Sequence, residues 1–245
     1  MIRLISAAAT HVGLLRTNNE DACLAMPEAG IFAISDGMGG AAAGEIASRY
    51  FIEAVQAALA SRVPVPEEAN IVLVEKVFEL SNERIFEHTA QNPNDEGMGC
   101  TGDLLLFFDR RYVIGHMGDS RIYLMRNGRL RQLTRDHSLV QGLVDEGILT
   151  PEEAKNHPRK NIILRAVGTD PFMSPDILKG SALNHDIFLL CSDGLTDMVD
   201  DSAIRDMLVS KTSLDTKAGN LISAALAGGG RDNVTVVLCE VEASD

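Results

Sequence analysis

The sequence predicts an α+β protein in which packed sheets are flanked by helices. Strand-like segments come in blocks rather than alternating with helices, and longer helical segments fall two early and two late. The chain has 245 residues, 45% hydrophobic and 23% charged, enough for one large domain with a buried core. No repeat, low-complexity tract or long linker divides it, so 1–245 is read as a single domain.

Short strands are expected over Leu4–Ala9, Ala22–Ala25 and Ile31–Ser35. A glycine-rich turn, Gly37 to Gly44, opens a helix over Glu45–Ser61, which Pro64 and Pro66 break. A second helix over Glu67–Thr89 carries apolar Ile71, Val74, Val77, Phe78 and Ile85 at helical spacing. After the loop Asn92–Gly99, strands are expected over Thr101–Phe108, Tyr112–Met117, Arg121–Arg126 and Leu130–Leu133. Asn127-Gly128 joins the last two as a hairpin turn. From Asp136 to about Asp170 short helical pieces (Ser138–Glu146, Pro151–Lys155) sit among His137, Gly147, His157 and Pro158, which reads as a polar insertion lying over the surface. Strands resume at Asp176–Leu178 and Ile187–Cys191. Helices follow over Ser202–Ser210 and Asp215–Ala227, with a last strand over Val234–Val241.

The net charge of −13 argues against nucleic acid and against an anionic membrane surface, both of which attract cationic partners. The segment Met1–Thr10 meets the polar Arg16–Asp21 stretch too early for a secretory leader. No apolar run reaches the roughly 18 residues that span a bilayer. Cys23, Cys100, Cys191 and Cys239 form no CxxC pair and read as reduced thiols, which with the missing leader points to the cytoplasm. No heptad or apolar stripe suggests an obligate dimer, so a monomer is expected.

Three aspartates end apolar strands where the chain turns through glycine: Asp36 before Gly37, Asp193 before Gly194, and Asp232 after Gly229-Gly230. A carboxylate at a strand end is held rigidly yet points into a cleft, and a neighbouring glycine lets a metal or water approach. Oxygen donors without matching His or Cys suit Mg²⁺ or Mn²⁺. One Asp-Gly is merely a turn; three after hydrophobic strands point to a site. Asn19-Glu20-Asp21 and Gly118-Asp119-Ser120-Arg121 add further acids, and Arg16 is able to fork onto a phosphate, although spacing alone suits a surface arginine equally. Asp119 alone reads as a turn residue.

Six ordered blocks carry a more specific signal: Arg16–Asp21, Asp36–Gly40, Gly118–Arg121, Leu133–Ser138, Cys191–Leu195 and Gly229–Thr235. Together they resemble the metal-dependent protein phosphatases, the PPM or type 2C serine/threonine family, in their compact bacterial form. The resemblance covers about Ala7 to Leu238 and implies an αββα sandwich with a binuclear metal centre at one end. It implies that Asp36 bridges two ions and Gly37 lends its carbonyl, that Asp193 and Asp232 complete the first ion's shell, and that Glu20 and Asp21 hold waters on the metals. Arg16 would grip the substrate phosphate, and a third ion would use Asp119 with Asp193. The implied activity is hydrolysis of phosphoserine and phosphothreonine on proteins by a metal-activated water, opposing a serine/threonine kinase. A catalytically weak phosphoprotein-binding regulator and a small-ester metallohydrolase are the competing readings. The insertion 136–170 would be the flap beside the cleft.

The sequence departs from the family pattern in two places. Met38 stands where some members carry a proposed general-acid His. Asp103 enters the apolar run Leu104–Phe108, where a buried acid is costly unless paired, and it reads as a satisfied structural residue rather than a ligand. Among His11, His116, His137 and His157 only His137, at the flap entrance, is worth testing as an acid or base. Arg159-Lys160 and Arg129–Arg131 read as solvated charge.

Overall fold

The structure, a computed structural model, describes residues 2–39, 43–59 and 62–242; Gly40 of the glycine-rich turn and Ser61 lie outside the described residues. Its chain order is β1 (Arg3–His11), β2 (Asp21–Met26), β3 (Ile31–Met38), α1 (Ala43–Leu59), α2 (Glu67–Gln91), β4 (Gly99–Cys100), β5 (Gly102–Phe108), β6 (Arg111–Met117), β7 (Arg121–Arg126) and β8 (Arg129–Gln132). Then come α3 (Leu139–Asp145), α4 (Pro151–Lys155), β9 (Asp176–Ser181), β10 (Ile187–Cys191), α5 (Asp193–Thr196), α6 (Asp201–Val209), α7 (Leu214–Ala227) and β11 (Val234–Glu242).

The strands make two antiparallel sheets, ordered β1-β11-β10-β7-β8 and β2-β3-β5-β6-β9, with β4 added to β3. Side-chain alternation explains the layering. On β10, Ile187, Leu189 and Cys191 face α5, α6 and α7, while Phe188 and Leu190 face the other sheet. On β5, Leu104 and Leu106 face α1 and α2, while Leu105 and Phe107 meet the first sheet. Central strands are thus apolar on both faces, which is why they read as unbroken hydrophobic runs. The inter-sheet layer is keyed by edge-to-face rings: Phe107 and Tyr112 lie 5.2 Å and 5.0 Å from Phe188. The result is the expected αββα sandwich.

Two short elements escape the sequence reading. β4 has two residues, and α5 is a single turn beginning at Asp193 itself, so neither shows a period. The insertion is also less superficial than expected. Val140, Ala166 and Val167 are buried, and Val167 exchanges main-chain hydrogen bonds with Cys100 at 3.0 Å and 2.9 Å. Its helices are locally specified: Ser138 caps α3, and Thr150 with Glu153 forms a capping box on α4.

Close packing of α1 and α2 on their sheet depends on two strand glycines. A Cβ on Gly115 would sit 2.5 Å from Val74 Cγ1 and 2.6 Å from Phe78 Cε2, and one on Gly102 would sit 2.6 Å from Phe51 Cε2. Phe51, Val74 and Phe78 are buried, and the two rings pack 5.2 Å apart, so they cannot yield by swinging into solvent. Gly115→Ala should therefore destabilise the protein by about 1–3 kcal/mol through overpacking, read as a lower urea midpoint at unchanged slope. An unchanged midpoint would mean that α2 shifts freely on the sheet.

Candidate active site

Strand ends from both sheets deliver the acidic residues to one end of the sandwich. Asp21 opens β2 and lies directly across from Asp36 near the end of β3. Asp193 follows β10, Asp232 precedes β11, and Asp119 sits in the β6–β7 turn. Polar residues flanking these acids fix them. Asp21 Oδ2 accepts from Ser192 Oγ at 2.8 Å and Thr235 Oγ1 at 2.7 Å, which ties β2 to the opposite sheet. Asp36 N–H donates to Thr101 Oγ1 (2.8 Å), and that hydroxyl pairs with Ser120 Oγ (2.8 Å).

Asn233 organises the loop that carries Arg16 and Glu20. Its Nδ2 donates to the carbonyls of Val12 and Asn18 at 2.9 Å and 2.8 Å, and its Oδ1 accepts from Glu20 N–H at 2.8 Å. Arg16 Nη2 then lies 2.7 Å from Asp232 Oδ2, so these two residues, assigned to phosphate and to metal by the resemblance, hold each other. Gly37 lies against the same loop: its N–H donates to Glu20 O (3.1 Å), and a Cβ there would fall 2.0 Å from Gly44 O. Only glycine leaves that carbonyl-lined niche open.

A cleft of about 570 Å³ runs from these acids under the insertion. Asp119 and Asp193 line its inner end, and Asp136, Lys160, Asp197 and Asp200 line its outer walls. Lys160 is not simply solvated, as the sequence suggested. It crosses from the insertion to pair with Asp197, and Lys155 pairs with Asp200 at 2.9 Å.

A family model described as protein phosphatase 2C matches residues 15–227. The chain belongs to this family. The serine/threonine protein phosphatase PstP of Mycobacterium tuberculosis is 43% identical over 237 residues, covering 96% of this chain and 44% of the relative. The chain thus spans less than half of that protein. The serine/threonine phosphatase stp of Listeria welshimeri is 38% identical over 94% of this chain and 93% of its own length. A crystal structure of the catalytic domain of PstP in complex with two manganese ions superposes with a TM-score of 0.91, at 39% identity, over 99% of this chain and all of that one.

In this phosphatase-family fold the electrostatics at the strand ends are those of crowded acids. Burial pushes the carboxyls of Asp36 and Asp193 well above the usual carboxylate range. Asp21, Asp119 and Asp232 add repulsion to both. Burial likewise raises Asp21 to about 6 and Asp119, beside Asp136, to about 7. Asp193 Oδ1 and Asp21 Oδ1 are buried without a hydrogen-bond partner. Crowded oxygen donors, two of them unpartnered, and an open backbone niche at Gly37 fit hard divalent cations. Among the described residues, no three His, Cys, Asp or Glu side chains already stand together as a metal-holding group; Asp232 is turned to Arg16. Burial pushes the Cys100 thiol up to about 12 and raises those of Cys191 and Cys239, which suits these fully buried cysteines to the core.

Asp103 is only half satisfied, which corrects the sequence reading. Its Oδ1 meets His116 Nδ1 at 2.7 Å, both side chains being fully buried, while Oδ2 has no partner. His116 was not singled out because its partner lies across a strand pair, invisible to local spacing. His137 accepts the Gly118 N–H at Nδ1 (3.2 Å), while its Nε2 lies between Arg165 Nη1, a donor at 2.7 Å, and Asp176 Oδ2, an acceptor at 3.2 Å. Burial, the charge on His116 and then that on Arg165 push His137 down from 6.5 to about 4.

A folded-state pKa below the unfolded one means that the unfolded chain takes up a proton which the native state refuses. His137 therefore contributes stability above about 6.5 that is lost as pH falls toward 4. Urea midpoints measured from about pH 7 to about pH 5 should fall more steeply for the wild type than for His137→Asn. Superimposed profiles would show that the imidazole is not held neutral.

Proposed function

We propose that this chain is a metal-dependent phosphatase that hydrolyses phosphoserine and phosphothreonine on proteins, with 1–245 acting as one catalytic domain and 136–170 as its flap. The observation that carries the reading is the convergence of Asp36, Asp193, Asp232 and Asp119 with Arg16 at one end of both sheets, in a chain of this family. The manganese ions in the PstP catalytic domain support Mn²⁺ or Mg²⁺ as the cofactor. Four free cysteines suit the cytoplasm, and among the described residues no helix is long and apolar enough to cross a membrane. The proposed substrates are products of a serine/threonine kinase, and the enzyme acts on them as a monomer.

Asp36, the Gly37 carbonyl, Asp193 and Asp232 would hold two ions, and Asp119 with Asp193 a third, while Glu20 and Asp21 order water around them. When bound, such ions supply Lewis acidity: they lower the pKa of a water and offset charge on the phosphoryl oxygens. The chain's own residues do the rest. Arg16, with its side chain 52% exposed, is reachable by substrate and offers the planar fork that matches two phosphate oxygens. Ser192 and Thr235 keep Asp21 oriented through hydroxyl donors, and Asn233 keeps the Arg16 loop against the acids, so these donors are positioned before substrate arrives. The flap wall offers a surface for the polypeptide around the phosphoresidue, which favours a macromolecular substrate over a small ester.

Phosphate release from a phosphothreonine peptide should require Mn²⁺ and stop with chelator, and Asp193→Ala should lower it roughly 100-fold or more. Metal-independent release, or an unimpaired variant, would place the chemistry elsewhere. Metal binding without turnover would favour the phosphoprotein-binding regulator. Arg16→Ala should raise KM for the peptide with a smaller loss in kcat, about tenfold in kcat/KM overall. An unchanged KM would remove Arg16 from phosphate binding.

A further inference from the structure

We propose that His137 is a positioning residue for this phosphatase: it clamps Gly118 and thereby sets Asp119 at the inner end of the cleft, and the buried Asp103–His116 pair holds the clamp in place. The inference rests on the phosphatase reading above for its link to turnover.

The clamp is reciprocal. His137 N–H donates to Gly118 O at 2.7 Å, and Gly118 N–H donates back to His137 Nδ1 at 3.2 Å. The turn has no slack on its other side. Gly118 has a φ of +113°, and a Cβ there would meet Thr101 Cγ2 at 2.6 Å. Thr101 in turn bonds Ser120 and Asp36. Asp119 is therefore flanked by one residue fixed from the flap root and one fixed by Thr101, which also holds the Asp36 N–H.

His137 is itself over-determined by groups that the reaction does not otherwise use. Asp103 and His116 are direct cross-strand partners on β5 and β6, and the pair is fully buried. The second imidazole nitrogen, Nε2, lies 2.9 Å from the carbonyl of Arg135, an acceptor, so it carries a proton and donates. This anchors the main chain two residues before His137. The two imidazole rings then stack, with centroids 4.7 Å apart and planes inclined at 33°. On the outer side Arg165 Nη1 lies 2.7 Å from His137 Nε2 and 2.7 Å from Asp176 Oδ1, and its Nη2 donates to Ser174 O (2.6 Å), which closes the cage around the second ring. A buried acid with one orphaned oxygen is a costly way to join two strands that already share a full ladder. Delivering a fixed carbonyl and a stacking surface to the flap root gives that pair a purpose.

The test separates the clamp from general support. His137→Phe keeps a ring against His116 but removes the acceptor for Gly118 N–H, whereas His137→Asn places Oδ1 near the position of Nδ1 and restores it. Three readouts are compared: melting temperature, amide hydrogen exchange at Gly118 by NMR, and kcat and KM for a phosphothreonine peptide with Mn²⁺. His137→Phe should exchange Gly118 faster and lose about tenfold in kcat with KM within about twofold, while staying folded with a melting temperature lowered by only about 2–10 °C. His137→Asn should recover most of both losses. Unchanged Gly118 exchange and kcat in His137→Phe would overturn the proposal, as would equal losses in both variants that track melting alone. If His137→Phe does not fold, His116→Gln, which breaks the stack, takes its place: protected Gly118 there would equally overturn the inference. A wild type that does not turn over with Mn²⁺ would remove the phosphatase reading and leave Gly118 exchange to decide the clamp.

Discussion

The concentration of buried carboxylates at one end of the sandwich is the constraint around which this protein is arranged. Like charges placed together with little solvent repel, and Asp36, Asp193, Asp119 and Asp21 all have their protonated forms favoured by burial first and by neighbouring acids after it. A flexible scaffold would relieve that repulsion by spreading the side chains into water. The two-sheet frame prevents this, because the central strands bearing the acids are apolar on both faces and are gripped between a helix layer and the partner sheet. Their ends are the places where a polar side chain can emerge from such strands without breaking a packed layer. The site lies at the strand ends for the same reason that the core is stable.

Small hydroxyl and amide groups supply much of the rigidity at the strand ends. Ser192, Thr235, Thr101 and Ser120 are buried and donate to, or cross-link, the segments that bear Asp21, Asp36 and Asp119. Neutral donors suit this role: each satisfies a carboxylate oxygen or an amide without cancelling the charge that the site needs. Asn233 does the same for the loop of Arg16, with its amide spent on main-chain carbonyls and its oxygen on a main-chain N–H. The charge pairing of Arg16 with Asp232 lies where both side chains are solvent-accessible and free to exchange partners.

Much of this was legible in the sequence because the strands are buried on both faces. Ile187–Cys191 and Val234–Val241 read as strands, and the aspartates flanking them and ending Ile31–Ser35 stood out against apolar runs. Helix limits followed from Pro64, Pro66 and the apolar period of Glu67–Thr89. What stayed hidden depends on register and long-range closure. Asp103 was recognised as anomalous, but His116 becomes its partner only once β5 and β6 pair in one register. Ser192, Thr235 and Thr101 carry no local signature, since a hydroxyl in a strand is ordinary until the opposite sheet brings a carboxylate to it. Lys160 looked solvated because its partner, Asp197, is 37 positions away.

The flap joins this frame through attachments of two different strengths. At its root the contacts are buried and directional: the His137–Gly118 exchange, the carbonyl of Arg135 on His116, and the paired main chains of Val167 and Cys100. Toward the cleft mouth it is held by Lys155–Asp200 and Lys160–Asp197, whose side chains are 63%/75% and 28%/34% exposed. Exposed pairs of this kind contribute about 0–1 kcal/mol each and weaken with salt, whereas losing a buried hydrogen-bond partner costs about 1–3 kcal/mol. The root is therefore bound to the geometry of Asp119, while the outer edge yields to the charge of whatever enters the cleft. For the phosphatase proposed above, that division would let one segment hold an acid in register and still admit polypeptides of varied sequence.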